Sequence, residues 1–518
     1  MSIRRSLILA LTVAATQLLA SGQNAPSPDS GVPAQTAPSQ TVPDQAPPNQ
    51  TVPNQTSPDQ PGTTTGTQGS GSTESGTIRT APATALLGIA GMAAGSAEGE
   101  EMSLELPRIP SLLGGRGISL AFPGELERSN YLRGGVNVGA TYDDNPLIVP
   151  TGQQSNTSES FFPNMRIEES SSRARWSLGY AGGLTVNQKI TSQNSGSHNL
   201  NFDSVFRLSP HVNLRVAENF SMTTGVFDSG VGGQGVAGGA GGPNASLITP
   251  LAAQRSELTT VETNYHFALN DLAGASGSFY DLNFSNVAGP VALSNTQSAT
   301  GSGFWLHKIF RGNWAGLSYR FERITFDPDG ETRVHSFLAV DTMNLGNRFS
   351  LSAFGGVQYA DNQGLVPGTQ VGTTQLSEST LWSPTGGIEA GWRNARTSIM
   401  AGYSRSISDG GGILGAVQLG NAYGSFRREL APGWAVTGTA GYGTNASVLP
   451  AAIVATSTNL NAINLTSVGA GLERNVGKKL GLRLGYTHDF QQQGGIGDVT
   501  RNRFFATLSY QWAKPLGM

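Results

Sequence analysis

From Tyr131 to Trp512 the chain repeats one pattern: apolar side chains at every second residue over short stretches, separated by Gly- and Asn-rich breaks. "LRGGVNVGATYD" sets Leu132, Val136, Val138, Ala140 and Tyr142 on one face and Arg133, Asn137 and Thr141 on the other. "RARWSLGYAGGLTV" sets Trp176, Leu178, Tyr180, Leu184 and Val186 against Arg175, Ser177 and Thr185. "NRFSLSAFGGVQY" and "KLGLRLGYTHDF" repeat it, and "RNRFFATLSYQW" closes the series with Phe504, Ala506, Leu508, Tyr510 and Trp512. A period of two marks strands with unlike faces. After the first 20 residues no apolar run approaches the ~18–20 residues of a spanning helix. A chain like this crosses a membrane only as a closed barrel, because in lipid every backbone polar group needs a partner within the protein. Otherwise it folds as a soluble sandwich, with the apolar face inward.

The spacing of the stretches decides between these. About eighteen of them lie between residues 131 and 512, each roughly 9–15 residues long, which suits tilted membrane-spanning strands. Those at 273–284, 331–342 and 416–428 alternate poorly. Long connections fall near 143–160, 187–197, 223–255, 285–296, 360–380, 408–415, 446–462 and 491–500. Short ones fall near 170–172, 209–210, 270–272, 309–312, 343–346, 393–395, 429–432 and 475–478. "DPDG" at 327–330 is short where a long one is expected. Long loops on one rim and tight turns on the other are the outer-membrane pattern.

Aromatic placement is a second signal. Threading the strands places Trp176, Trp305, Trp314, Trp392, Trp434 and Trp512 near short-turn ends. Trp382, Tyr142, Tyr359, Tyr442 and Tyr486 fall near long-loop ends. Amphipathic rings settle at membrane–water interfaces, so these are the expected girdles. The sequence therefore predicts an all-β, antiparallel up-and-down transmembrane barrel of about 18 strands (16–18) over 131–518. Both termini lie on the short-turn side, expected to face the periplasm.

The N-terminus supplies an address. "MSIRRSLILALTVAATQLLASG" has Arg4 and Arg5, an apolar core and a small-residue cleavage site, which reads as a signal peptide over 1–22. Arg4-Arg5 hints at a twin-arginine signal, but that route carries folded cargo and a barrel crosses the inner membrane unfolded. Residues 23–85 are low in complexity, with five Pro/Gln pentads over 36–60. They read as a disordered periplasmic linker, and the 25 pentad residues reach roughly 80 Å if extended. Residues 86–130, including "LPRIPSLLGGRGISLAFPGE", hold apolar clusters without a clear period and read as a periplasmic or plug-like segment.

Strand one ends in "TYDDNP", residues 141–146, before a long polar loop. With the terminal "FFATLSYQW", this resembles uncharacterised outer-membrane β-barrel proteins of the porin kind, whose first strand closes on a Tyr-Asp-Asp-Asn element. The resemblance covers about 131–512 and implies a transport-type barrel. Some barrels of this kind are associated with polysaccharide export. The chain departs from the usual insertion signal, since "AKPLGM" follows Trp512.

Composition removes other classes. The net charge of −3 argues against nucleic acid as the main partner. With no cysteine there is no disulfide framework, thiolate metal site or acylation site. There is no H-E-x-x-H, G-x-S-x-G or P-loop, and the six histidines lack metal-ligand spacing. "GGQGVAGGAGG" at 232–242 lacks the strand-then-helix context of a phosphate loop. No cofactor, metal or catalytic residue is expected. One enzymatic alternative sets Asp143-Asp144 beside His488-Asp489 across the closing seam, where they would activate water as in omptin-like proteases.

The channel reading names lumen-facing residues opposite the lipid face: Arg133, Asn137, Thr141, Arg175, Ser177, Asn213, Arg215, Glu262, Asn264, Gln358, Arg483, Arg503, Thr507, Ser509 and Gln511. Arginines outnumber acids here, so an anion preference is expected unless they pair with acids such as Asp203, Glu322 and Glu473. Loop 223–255, the longest, is expected either to narrow the pore or to remain at the surface. The expected function is passive diffusion of small hydrophilic solutes. The alternatives are export or anchoring of polysaccharide, and a surface adhesin or receptor acting through loops 143–160, 223–255 and 446–462. Expected partners are outer-membrane lipid and lipopolysaccharide, the barrel-assembly machinery, the solutes, and cell-wall or polysaccharide-export components. Phe505, an aromatic on the presumed lumen face, is the residue that fits least well.

Overall fold

A computed structural model describes residues 130–516, apart from 148, 192–193, 224–252, 286–293, 311, 328–329, 347, 368–373, 409–415, 449–461, 478 and 494–496. The expected signal peptide (1–22) and linker (23–85), residues 86–129 and most of loop 223–255 lie outside the described residues.

Eighteen strands follow in chain order: β1 (Tyr131–Asp143), β2 (Asn156–Ser170), β3 (Ala174–Asn187), β4 (Ser195–Arg207), β5 (Val212–Thr223), β6 (Ala253–Ala268), β7 (Asp271–Ser285), β8 (Thr296–Phe310), β9 (Asn313–Phe326), β10 (Gly330–Leu345), β11 (Phe349–Pro367), β12 (Thr374–Arg393), β13 (Thr397–Ser408), β14 (Val417–Ala431), β15 (Trp434–Ser447), β16 (Ala462–Val476), β17 (Leu480–Gln493) and β18 (Val499–Pro515). Each pairs antiparallel with its sequence neighbours, and β1 closes on β18 from Tyr131↔Pro515 to Asp143↔Arg503. Closure pairs the first strand with the last, which is what lipid demands, and β12 goes unpaired to β13 only beyond Gly386, at its long-loop end. The poorly alternating stretches are complete strands: β7, β10 and β14. β18 continues past Trp512 to Pro515, so the tail that departs from the usual signal extends the closing strand.

The loop segregation holds, with one correction. Much of 360–380 is not loop: β11 runs to Pro367 and β12 starts at Thr374, paired throughout as a long projecting hairpin. "DPDG" is a tight connection on the long-loop side, between Phe326 and Gly330. Tight turns on the other rim rest on glycine where φ is positive. Gly312 (φ 83°) and Gly433 (φ 77°) take the left-handed region, and a Cβ there would meet the Asn344 and Asn475 carbonyl oxygens at 2.9 and 2.7 Å.

The two faces are unlike all round the barrel. On β10, Phe337 is 53% exposed while its neighbours Ser336 and Leu338 are 3% and 4% exposed. Outward residues of β11 are Phe349, Leu351, Ala353, Gly355, Val357 and Tyr359, followed by Asp361. Ten residues at ~3.3 Å each, tilted ~40°, span about 25 Å, the height of a lipid-facing band. Outward aromatics cluster at the long-loop edge of this band. Tyr359 stacks near Trp382 at 5.0 Å, Tyr486 near Phe504 at 4.7 Å, and Tyr319 bonds His335 at 2.9 Å. Tyr142 and Tyr442 are exposed on the same outward face. Trp176, Trp305, Trp392, Trp434 and Trp512 occupy outward positions near short-turn ends; Trp434 carries the Arg474 guanidinium over its ring at 4.8 Å. Trp314 is a correction. It takes the inward register, is buried, and packs with Leu272, Phe304, Leu306, Leu338 and Val340.

Candidate channel lumen

Alternation places every residue expected to line the lumen on the inner face. Asn137, Glu262 and Gln358 are buried there, and Arg175 is the most open arginine of the set. Arg133 and Thr141 lie on β1, Ser177 on β3, Asn213 and Arg215 on β5, Asn264 on β6, Arg483 on β17, and Arg503, Thr507, Ser509 and Gln511 on β18. Several serve the wall itself. Ser177 accepts from Arg166 at 3.2 Å, and Ser509 donates to the Gly481 carbonyl at 3.2 Å.

Most of the arginines expected in the lumen, and others on the inner face, are paired with acids on the same strand or one or two strands away. Arg215 meets Asp203 (Nε 3.1 Å) and Glu262 (3.5 Å). Arg320 meets Glu322 at 2.5 Å; Arg503 meets Asp489 at 2.8 Å. Glu168 holds Arg133 at 3.3 Å and Arg166 at 2.9 Å. Glu473 holds Arg427 at 3.4 Å and Arg483 at 3.8 Å. These contacts are those of the paired alternative, with Asp203, Glu322 and Glu473 each engaged, and they correct the expectation of a ring of free positive charge. Arg175 has no acid within ion-pair distance among the described residues. Sequence reasoning missed Arg166, Glu168 and Arg427 and weighed Asp489 only for catalysis; each sits at an inward position of its strand, so the same alternation would have found them.

The closing seam separates the Asp and His residues weighed for catalysis. Asp143 and Asp489 point inward. Asp143 accepts from Arg501 at 2.8 Å, and Asp489 accepts from Arg503 and from Ser467 at 2.7 Å. His488 points outward, 2.8 Å from Asn502 Oδ1, and Asn502 donates to Asp144 at 2.6 Å. The two faces of the sheet keep His488 from Asp143 and Asp489, so no acid–histidine dyad forms among these four. The Tyr-Asp-Asp-Asn element has another use. Asn145 is fully buried, donates its amide to the carbonyls of Val149 (2.9 Å) and Thr500 (3.0 Å), and gives its backbone N–H to Asp143 Oδ1 at 3.0 Å. Asp144 receives the Asn502 backbone N–H at 2.7 Å. The element fastens the long-loop end of β1 onto β18.

Phe505 faces inward and is buried because its ring lies over Gly485 of β17. A Cβ at Gly485 would sit 2.2 Å from that ring. Arg483 lies 5.5 Å from the ring centroid. Phe162 over Gly183, Phe304 over Gly274, Phe354 over Gly387 and Tyr423 over Gly402 repeat the device. Each glycine leaves a notch that a ring on the adjacent strand fills, a known way to support glycine in sheets.

At the long-loop mouth the end of β13 lies against the inner wall. β12 pairs with β13 only from Gly386↔Arg405 to Arg393↔Ser398. Beyond that, β13 passes inside the β11–β12 hairpin. The Ile407 N–H donates to the Gln358 side chain at 3.2 Å, and Ile407 packs with Val334, Ala360 and Ala416 in a buried cluster that Phe326, Leu381 and Val448 adjoin.

A closed antiparallel sheet with an apolar outer band and a polar, ion-paired interior is a transmembrane β-barrel, here of eighteen strands. No protein-family model matches the chain, and no curated protein does. Similar solved structures include the ferric citrate transporter FecA in the unliganded form (9% identity, TM-score 0.41, 76% of this chain and 80% of that chain). Others are OccAB2 of Acinetobacter baumannii (10%, 0.39, 74% and 98%) and OpdO of Pseudomonas aeruginosa (13%, 0.39, 75% and 98%). At these scores the likenesses carry no weight of their own; the class follows from the closed sheet and its two faces.

Proposed function

We propose that the chain is a bacterial outer-membrane channel through which small hydrophilic solutes diffuse passively, with its termini in the periplasm. The observation that carries this is the polar, ion-paired inner wall enclosed by a lipid-facing band. Eighteen strands spaced ~4.8 Å and tilted ~40° enclose a ring about 35 Å across between backbones, room for a hydrated solute path. Local neutralisation of the arginines makes the expected selectivity weak, with passage limited by size. The chain's own work is to hold that path: outward residues meet lipid and lipopolysaccharide, and the barrel-assembly machinery would insert it. Extraction from the outer membrane with heat-modifiable gel migration tests the location. Purified protein in planar bilayers tests the function, and absence of ion current would sink the channel reading.

A further inference from the structure

On three adjacent strands the outer face changes character at one level. Phe321, His335 and Tyr359 stand in one register row across β9, β10 and β11, and the row continues to Trp382 of β12. Arg323, Arg333 and Asp361 form the next outward row toward the long loops. Below the rings, Leu317 and Phe337 are 61% and 53% exposed on the same face. Rings with polar tips mark the membrane–water boundary, so the charged row stands at the level of lipid head groups.

Arg323 and Arg333 are direct cross-strand partners. Like charges directly opposite each other destabilise a sheet. Glu331, above them on β10, offsets this in part by placing one oxygen on each guanidinium, 2.6 Å from Arg323 and 2.5 Å from Arg333. The contact holds the two arginines side by side without enclosing them. Their side chains stay 53% and 45% exposed, against 19% for Glu331. Each guanidinium carries more N–H donors than Glu331 takes up. Asp361 flanks Arg333 on the β11 side without reaching ion-pair distance. The pair faces away from the lumen, so solute passage does not account for it.

Two arginines held side by side above an exposed apolar wall match an amphiphile with an anionic head and acyl chains. The planar fork of each guanidinium suits phosphate oxygens. We propose that Arg323 and Arg333 bind a phosphate of an outer-leaflet glycolipid whose acyl chains lie over Leu317 and Phe337. The site rests on the outer-membrane location proposed above and is independent of solute passage.

The full chain in detergent is titrated with lipid A, the phosphorylated glucosamine anchor of lipopolysaccharide, and bound lipid is counted by native mass spectrometry. Wild type should be half-loaded at a concentration at least ~10-fold lower than Arg323→Gln/Arg333→Gln requires. Dephosphorylated lipid A should bind both proteins alike. Arg255→Gln, at an outward arginine outside the pair, should load as wild type does. Asp361→Asn should tighten binding, since it removes a carboxylate beside the phosphate. Equal loading of wild type and the double variant overturns the site, as does an equal loss in Arg255→Gln or a wild type that takes both lipids alike. Displacement of lipid A by equimolar inorganic phosphate overturns the lipid as the ligand. Loss of binding in a chelator or in Asp361→Asn indicates a metal-bridged phosphate and overturns direct recognition by the arginines. Heat-modifiable migration checks that each variant is folded. A barrel found outside the outer-membrane fraction refutes the location; one inside it that shows no lipid preference refutes the site alone.

Discussion

The closing seam makes the sharpest prediction. Asp143 and Arg501 are 9% and 7% exposed at their side chains, and Asp143 takes two guanidinium donors plus the Asn145 N–H. Asp143→Ala takes from the buried Arg501 the carboxylate it bonds and removes the acceptor that orders the turn. Breaking a buried pair by removing one partner costs about 3–5 kcal/mol, and one lost neutral hydrogen bond about 1 kcal/mol. The rim borders water, so the low end, about 3 kcal/mol in total, is the expected loss. Asp143→Asn keeps an acceptor for the Asn145 N–H and should recover about 1 kcal/mol of it. Arg501→Met with Asp143→Ala removes both charges, so the double variant should be less destabilised than the two single losses added together. Reversible urea unfolding in detergent micelles measures all four proteins. A coupling within about 0.5 kcal/mol of zero would falsify the claim that this pair fastens the barrel.

Three further outcomes follow from the inner wall. Glu473→Gln strips the shared partner of Arg427 and Arg483, so the reversal potential in a KCl gradient should move toward anion preference; an unmoved potential would show that these charges do not face the ion path. Gly485→Val drives a side chain into the Phe505 ring and should cost about 1–3 kcal/mol, much of it relieved by adding Phe505→Ala. If Gly485→Val unfolds at the wild-type midpoint, the ring does not fill the glycine notch. Ile407→Asp places a carboxylate in the apolar cluster of the mouth; conductance should rise as the end of β13 releases, and an unchanged trace would mean that this segment does not limit flow.

Much of the barrel was legible in the sequence because lipid enforces a rule that soluble folds relax: each strand must present one continuous apolar face and pair on both sides. That rule makes Phe504 to Trp512 readable as lipid-facing and Thr507 to Gln511 as inward from alternation alone. Where the rule slackens, reading failed. β7 has Gly and Ser at inward positions, and β14 alternates Gly, Ala and Tyr, so neither shows contrast. Trp314 was misread because a tryptophan near a strand end fits a girdle as well as a lumen cluster; only its register against Leu317 and Tyr319, both exposed, separates them. The charges inside were placed on the right face, but their neutralisation was not visible, since pairing depends on register between strands. Arg483 finds Glu473 because β16 and β17 pair these two positions directly.

The end of β13 shows how a local rule shapes the mouth of the barrel. Proline is confined to the edges of sheets because it offers no N–H to a neighbouring ladder. Pro384 lies in β12 two residues beyond Gly386, where pairing with β13 stops. Above that point β12 is an edge, paired to β11 alone, while β13 stays paired to β14 as far as Ser408↔Val417. A strand end that has lost one of its two partners must satisfy the backbone on that side and cover its apolar residues elsewhere. The Gln358 side chain accepts the Ile407 N–H, and the inner surfaces of β10 and β11 cover the Ile407 side chain. Both partners lie inside the barrel, so the end of β13 moves into the lumen. The expectation that loop 223–255 either narrows the pore or remains at the surface falls mostly on residues outside the described ones. Among the described residues, the segment that lies against the inner wall at the mouth is the end of β13, beyond the point where its pairing with β12 stops near Pro384.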